Sequence, residues 1–174
     1  MASLILTVIG ADRPGLVRTL AETVAAHGGS WLESRMARLA GQFAGIVLLE
    51  APESLLEDLH ALEGQGLRIV VQSGSDTPAA PARQPALALE VIGHDRPGIV
   101  RDITQVLWDC GVNIEELTTD VVSGSFSGET LFRATAMLRV PSEEAVEAVR
   151  AGLEELGNEL MVDIHVAPDA PPPS

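Results

Sequence analysis

The sequence predicts an α+β protein of two ferredoxin-like βαββαβ units, each an antiparallel sheet with both helices on one face. Three observations lead there. The nonapeptide GADRPGLVR at residues 10–18 returns as GHDRPGIVR at residues 93–101, an offset of 83 positions. Near-identity through a polar turn marks a repeated unit, since a packing requirement alone would tolerate many apolar exchanges. Each copy follows a short apolar run of strand character and precedes apolar residues at helical spacing. The 174 residues, 46% of them apolar, suffice for two small cores.

In the first unit, Leu4, Ile5, Leu6, Val8 and Ile9 read as a strand buried on at least one face, and Gly10 to Gly15 as a turn. Leu16, Val17, Leu20, Ala21 and Val24 recur at helical spacing until His27-Gly28-Gly29 stops the helix. Trp31–Leu39 and Phe43–Glu50 are strands joined by a tight connection at Gly41-Gln42. Pro52 starts a second helix carrying Leu55, Leu56, Leu59 and Leu62; Gly64 and Gly66 end it, and Leu67–Val71 is the last strand.

The second unit repeats this order. Leu87–Ile92 is a strand, and Ile99, Val100, Ile103, Val106, Leu107 and Cys110 line a helix that Gly111 ends. Asn113–Val122 and Thr130–Val140 pair, with SGSFSGE at 123–129 lengthening their connection into a flexible loop or a mobile flap. Ser142 is the expected N-cap of a helix bearing Val146, Val149, Leu153 and Leu156; Gly157 closes it, and Leu160–Val166 is the final strand. The expected organisation is a domain over 1–73, a Pro- and Ala-rich linker over 74–86, a domain over 87–166 and an extended or disordered tail over 167–174.

Composition narrows the function. The net charge is −14, all eleven basic residues are scattered arginines, and aromatic residues make up 3% with no Tyr. Such a field repels nucleic acid and anionic membranes, and base-stacking platforms are lacking. The apolar run Leu4–Ile9 is too short for a signal sequence or a membrane span, so the expected compartment is the cytoplasm. One cysteine, Cys110, excludes an intrachain disulfide and reads as a small core residue. His27, His60, His94 and His165 follow no metal-ligand spacing, so no metal site is expected. Trp31 and Trp108 read as core or interface residues. No nucleophile elbow, phosphate loop or dinucleotide fingerprint occurs, so neither catalytic residues nor a cofactor are expected.

The repeated Asp-Arg-Pro-Gly therefore holds the interest. Asp12 and Asp95 suit helix N-caps, Pro14 and Pro97 suit the first helical turn, and Gly15 and Gly98 let a partner approach closely. The free backbone N–H groups of such a turn favour a carboxylate or phosphate. Two readings follow: a small-anion or amino-acid site, or a well-capped helix.

Residues 3 to about 166 resemble two ACT domains in tandem, a family of small βαββαβ regulatory modules that bind amino acids between paired domains. GADRPGLV followed by SWLESRMARLAGQFAGIVLLEAP is similar to the glycine cleavage system transcriptional repressors. The resemblance implies ligand contacts from Gly10, Ala11, Asp12, Arg13, Pro14 and Gly15 with Ser30 in the first unit. In the second it implies Gly93, His94, Asp95, Arg96, Pro97 and Gly98 with Asn113 and Ile114. Asn113 offers two donors and an acceptor where the first unit has Ser30, so the second site is the better equipped, with His94 at its mouth.

The implied protein is a non-catalytic, amino-acid-responsive regulator. Glycine is the expected ligand, and a protein partner such as a transcriptional activator is the target in place of DNA. A regulatory subunit acting in trans on an enzyme of amino-acid or one-carbon metabolism, and a ligand-free interaction module, are the alternatives. Pairing of units within one chain or across a homodimer is left open.

Overall fold

A computed structural model describes residues 1–74, 85–123, 130–157 and 160–166. The chain divides into two compact units, Met1–Ala79 and Ala80–Ser174. The first contains β1 (Ala2–Ala11), α1 (Leu16–Ala26), β2 (Ser30–Leu39), β3 (Gln42–Ala51), α2 (Leu55–Glu63) and β4 (Leu67–Ser73). The second contains β5 (Ala86–His94), α3 (Ile99–Asp109), β6 (Asn113–Ser123), β7 (Thr130–Arg139), α4 (Glu143–Glu155) and β8 (Met161–Val166). The sheets run β2-β3-β1-β4 and β6-β7-β5-β8, with every pairing antiparallel. The α+β class and the doubled βαββαβ order are as the sequence predicts.

Period-2 alternation places the cores. Leu4, Leu6 and Val8 of β1 face inward with Val47 and Leu49 of β3, under Leu16, Leu20 and Val24 of α1 and Leu55, Leu59 and Leu62 of α2. Leu87, Leu89 and Val91 of β5 do the same with Phe132 and Leu138, under Ile99, Ile103 and Leu107 of α3 and Ala145, Val149 and Leu153 of α4. Burial of each large side chain contributes about 1.5–3 kcal/mol. The first helix of each unit buries only a stripe of three residues spaced four apart. Val17 and Val100, which the helical spacing counts as apolar positions, are exposed.

Several local expectations are corrected. Asp12 and Asp95 are not N-caps. The capping residues are Gly15 (φ 91°) and Gly98 (φ 84°), neither helix has a side-chain cap, and the helices begin at Leu16 and Ile99. Pro14 and Pro97 thus precede the helix. Each Asp, the first residue after its strand, is held there by a long-range bond: Asp12 N donates to Gly41 O (2.9 Å) and Asp95 N to Thr130 O (3.1 Å). Glycine is needed because left-handed φ is costly for residues with a Cβ. Space is not the reason at Gly15, where a Cβ would meet nothing within 4 Å. The β2–β3 connection turns at Ala40-Gly41, one residue earlier than expected, with both residues at positive φ (48° and 77°) as a two-residue hairpin requires. Trp31 packs on the first core, but Trp108 is 79% exposed and belongs to no core.

Ser142 caps α4 as expected, accepting from Ala145 N at 3.3 Å. Ala86, placed in the linker on composition, is the first residue of β5. Most of the 74–86 linker, the 124–129 part of the Gly/Ser loop and the 167–174 tail lie outside the described residues.

Candidate functional site

Strand register fixes where the expected site residues lie. In the first unit Gly10 is level with Phe43 and Arg38, whereas Ser30 is level with Glu50 and Ser3. The seven positions of β1 between those levels span roughly 23 Å. In the second unit His94 is level with Leu131, and Asn113 with Arg139 and Ala86, eight positions away along β5 or roughly 26 Å. The cause is topological. Each DRPG turn ends the first strand, and the helix that follows travels back along the sheet before Ser30 or Asn113 starts the next strand. No single unit brings the turn and the residue after the helix together.

The two turns differ in their ion pairs. In the first, the Asp12 carboxylate pairs with Arg38 Nε (2.5 Å), and Arg13 Nη2 donates to Gln65 O (2.7 Å), tying the turn to the α2–β4 connection. In the second, Val121 occupies the position of Arg38, and Asp95 has no counterion among the described residues. Arg96 instead donates to Asp102 of α3 (2.7 Å), which also accepts from Arg101 (2.8 Å). Hydrogen bonds from Arg96 and then Arg101 hold the Asp102 carboxyl below its ordinary range.

Two open grooves gather polar groups. One, of about 550 Å³, lies at the C-terminal end of β1 and is lined by Ile9, Gly10, Ala11, Gln42, Glu63, Gly66, Leu67 and Arg68. The other, of about 430 Å³, lies between α3 and the start of β6. Arg101, Thr104, Gln105, Leu107, Trp108, Val112, Asn113 and Ile114 line it. Of the expected site residues, Gly10 and Ala11 line the first groove and Asn113 and Ile114 the second. Asp12, Arg13, Pro14, Gly15, Ser30, Gly93, His94, Asp95, Arg96, Pro97 and Gly98 line neither. The sequence reading did not single out Arg101, Thr104, Gln105, Gln42, Glu63 or Arg68. The spacing of 101, 104, 105 and 108 along one face of α3 was a usable signal. The meeting of Glu63 with Arg68 depends on the α2–β4 turn and had none.

Among the described residues no group of three His, Cys, Asp or Glu side chains could hold a metal ion. Burial, then the neighbouring Asp109 charge, pushes the Cys110 thiol up, which disfavours a reactive thiolate. No helix among the described residues is long and apolar enough to cross a membrane.

Residues 2–72 and 86–167 each match the ACT domain family model. The glycine cleavage system transcriptional repressor of Escherichia coli strain K12 is 26% identical over 166 residues, covering 93% of this chain and 85% of the repressor. A crystal structure of an unknown protein from Galdieria sulphuraria is 31% identical, covers 95% of this chain and 98% of its own, and superposes with a TM-score of 0.80. A crystal structure of a candidate glycine cleavage system transcriptional repressor superposes at 0.66, with 18% identity over 95% of this chain and 98% of its own, a likeness of fold.

Proposed function

The chain belongs to the ACT domain family, and on that premise we propose that it is a non-catalytic, amino-acid-responsive regulator, specifically a glycine cleavage system transcriptional repressor acting through a protein partner. The observation that carries this reading is the alignment with the Escherichia coli repressor along nearly the whole of both chains, through both units. The charge of −14 supports a protein target, a DNA-binding activator, since the chain's own field opposes DNA. Glycine is the proposed effector, the cytoplasm the proposed compartment, and two ACT domains with a linker between them the proposed organisation.

Ligand size sets the affinity scale. The five heavy atoms of glycine, at a ceiling of about −1.5 kcal/mol each, allow about −7.5 kcal/mol, so micromolar binding is the upper limit. Weak binding suits the sensing of an abundant metabolite. The test is co-purification with the activator of the glycine cleavage operon, with and without millimolar glycine. A glycine-dependent change in capture supports the reading, and failure to capture the activator under either condition refutes it.

A further inference from the structure

The groove at the C-terminal end of β1 is lined by residues of opposite charge, Glu63 and Arg68. Arg68 lies across from Ile9 in the β1–β4 pairing, is exposed, and has no ion pair among the described residues. In a chain of net charge −14, a guanidinium beside a groove and without a counterion is available to a carboxylate, which arginine can bind through two parallel N–H donors. Glu63 lines the same groove from the end of α2. Its carboxylate is oriented by Ile69 N, which donates to Oε1 at 3.4 Å, and by His60 Nδ1, 3.5 Å from Oε2, yet it stays 41% exposed. The two charges share a groove without pairing with each other.

Close backbone packing shapes the groove. A Cβ at Gly10 would lie 2.6 Å from Gly66 O, so the glycine lets β1 meet the α2–β4 turn that Glu63 and Arg68 flank. The second unit lacks these charges. By strand register Met161 stands where Arg68 does, and Leu131 where Gln42 does.

We propose that this groove binds the head group of a free α-amino acid, with Arg68 on the carboxylate and Glu63 on the ammonium. Ile9 and Leu67 supply an apolar wall beside the ligand's α-carbon, and Gln42 supplies a neutral polar contact. The proposal rests on the amino-acid-responsive reading and deepens it by giving the zwitterion to the first unit.

The test is calorimetry on the full chain with the proteinogenic amino acids, repeated for any that bind on Arg68→Met, Glu63→Gln and Asn113→Ala. Circular dichroism checks that each variant is folded. Arg68→Met and Glu63→Gln are each expected to weaken binding about tenfold or more, the scale of a lost hydrogen bond to a charged group. Asn113→Ala is expected to leave affinity unchanged. The amide and the N-acetyl derivative of the bound amino acid, each lacking one charge, are expected not to bind. Unchanged affinity in Arg68→Met and Glu63→Gln would overturn this site while leaving the amino-acid reading standing. Sensitivity to Arg68→Met alone, with the N-acetyl derivative still bound, would overturn the zwitterion in favour of simple carboxylates. No binding by any amino acid would overturn both the site and the reading.

Discussion

Ala40 shows how one residue can carry a local cost. It is the only non-glycine residue at positive φ among the described residues, in a hairpin turn that demands this conformation. The left-handed region costs residues with a Cβ about 1–2 kcal/mol. Ala40→Gly is therefore expected to raise stability by about 0.5–1 kcal/mol, after allowing for the freer unfolded chain. A higher urea midpoint at unchanged slope would show it. Asp102 carries a pH dependence. Its carboxyl is depressed by hydrogen bonds from Arg96 and Arg101. A depressed carboxylate contributes stability above its unfolded pKa and loses it as pH falls through its folded pKa. Asp102→Asn should accordingly be less stable than the parent at pH 7, with the gap shrinking below about pH 4. Urea midpoints of both proteins across that range measure it, and a gap independent of pH would contradict the assignment.

The recurrent element is a strand, a left-handed glycine and a helix. Gly15→Ala and Gly98→Ala place a Cβ at φ 91° and 84°. Each is expected to destabilise its unit by about 1–2 kcal/mol, read as a lower denaturation midpoint. No such loss would mean that the turn relaxes without glycine. The repeated glycine thus has a conformational reason in each copy, independent of any ligand. Strands and helices were legible because their periods of two and 3.6 are written in the apolar residues. The cap was not legible, because Asp-Arg-Pro reads equally well as a helix start. The bonds from Asp12 to Gly41 and from Asp95 to Thr130 hold each Asp at the end of its strand and away from the helix start, and no local pattern encodes partners that distant. Trp108 escaped for a related reason. It sits one residue beyond the buried Leu107 on α3, and a small shift in helical phase separates core from groove.

At the scale of the molecule, the two copies share a backbone and have diverged in charge. Asp95 and Val121 stand where Asp12 and Arg38 form an ion pair, Arg68 gives way to Met161, and Ala25 gives way to Trp108 at the repeat offset. The turns were legible as repeated, but their distance from Ser30 and Asn113 was not. That separation emerges only once the helix is laid along the sheet. No polar side chain among the described residues is buried, and both grooves are open. Ligand sites usually enclose most of their ligand, so weak binding is expected of the chain alone. A partner that covers a groove would tighten it, and by reciprocity the ligand would then tighten the partner.

The central claim is that this chain responds to an amino acid, and the direct measurement is thermal unfolding of the full chain against each proteinogenic amino acid. Glycine or a close relative at a hundred times its dissociation constant should stabilise by about 2.7 kcal/mol. For a chain of this length that raises Tm by roughly 5–10 °C. No shift with any amino acid would contradict the account and leave a ligand-free interaction module whose DRPG turns serve only the fold.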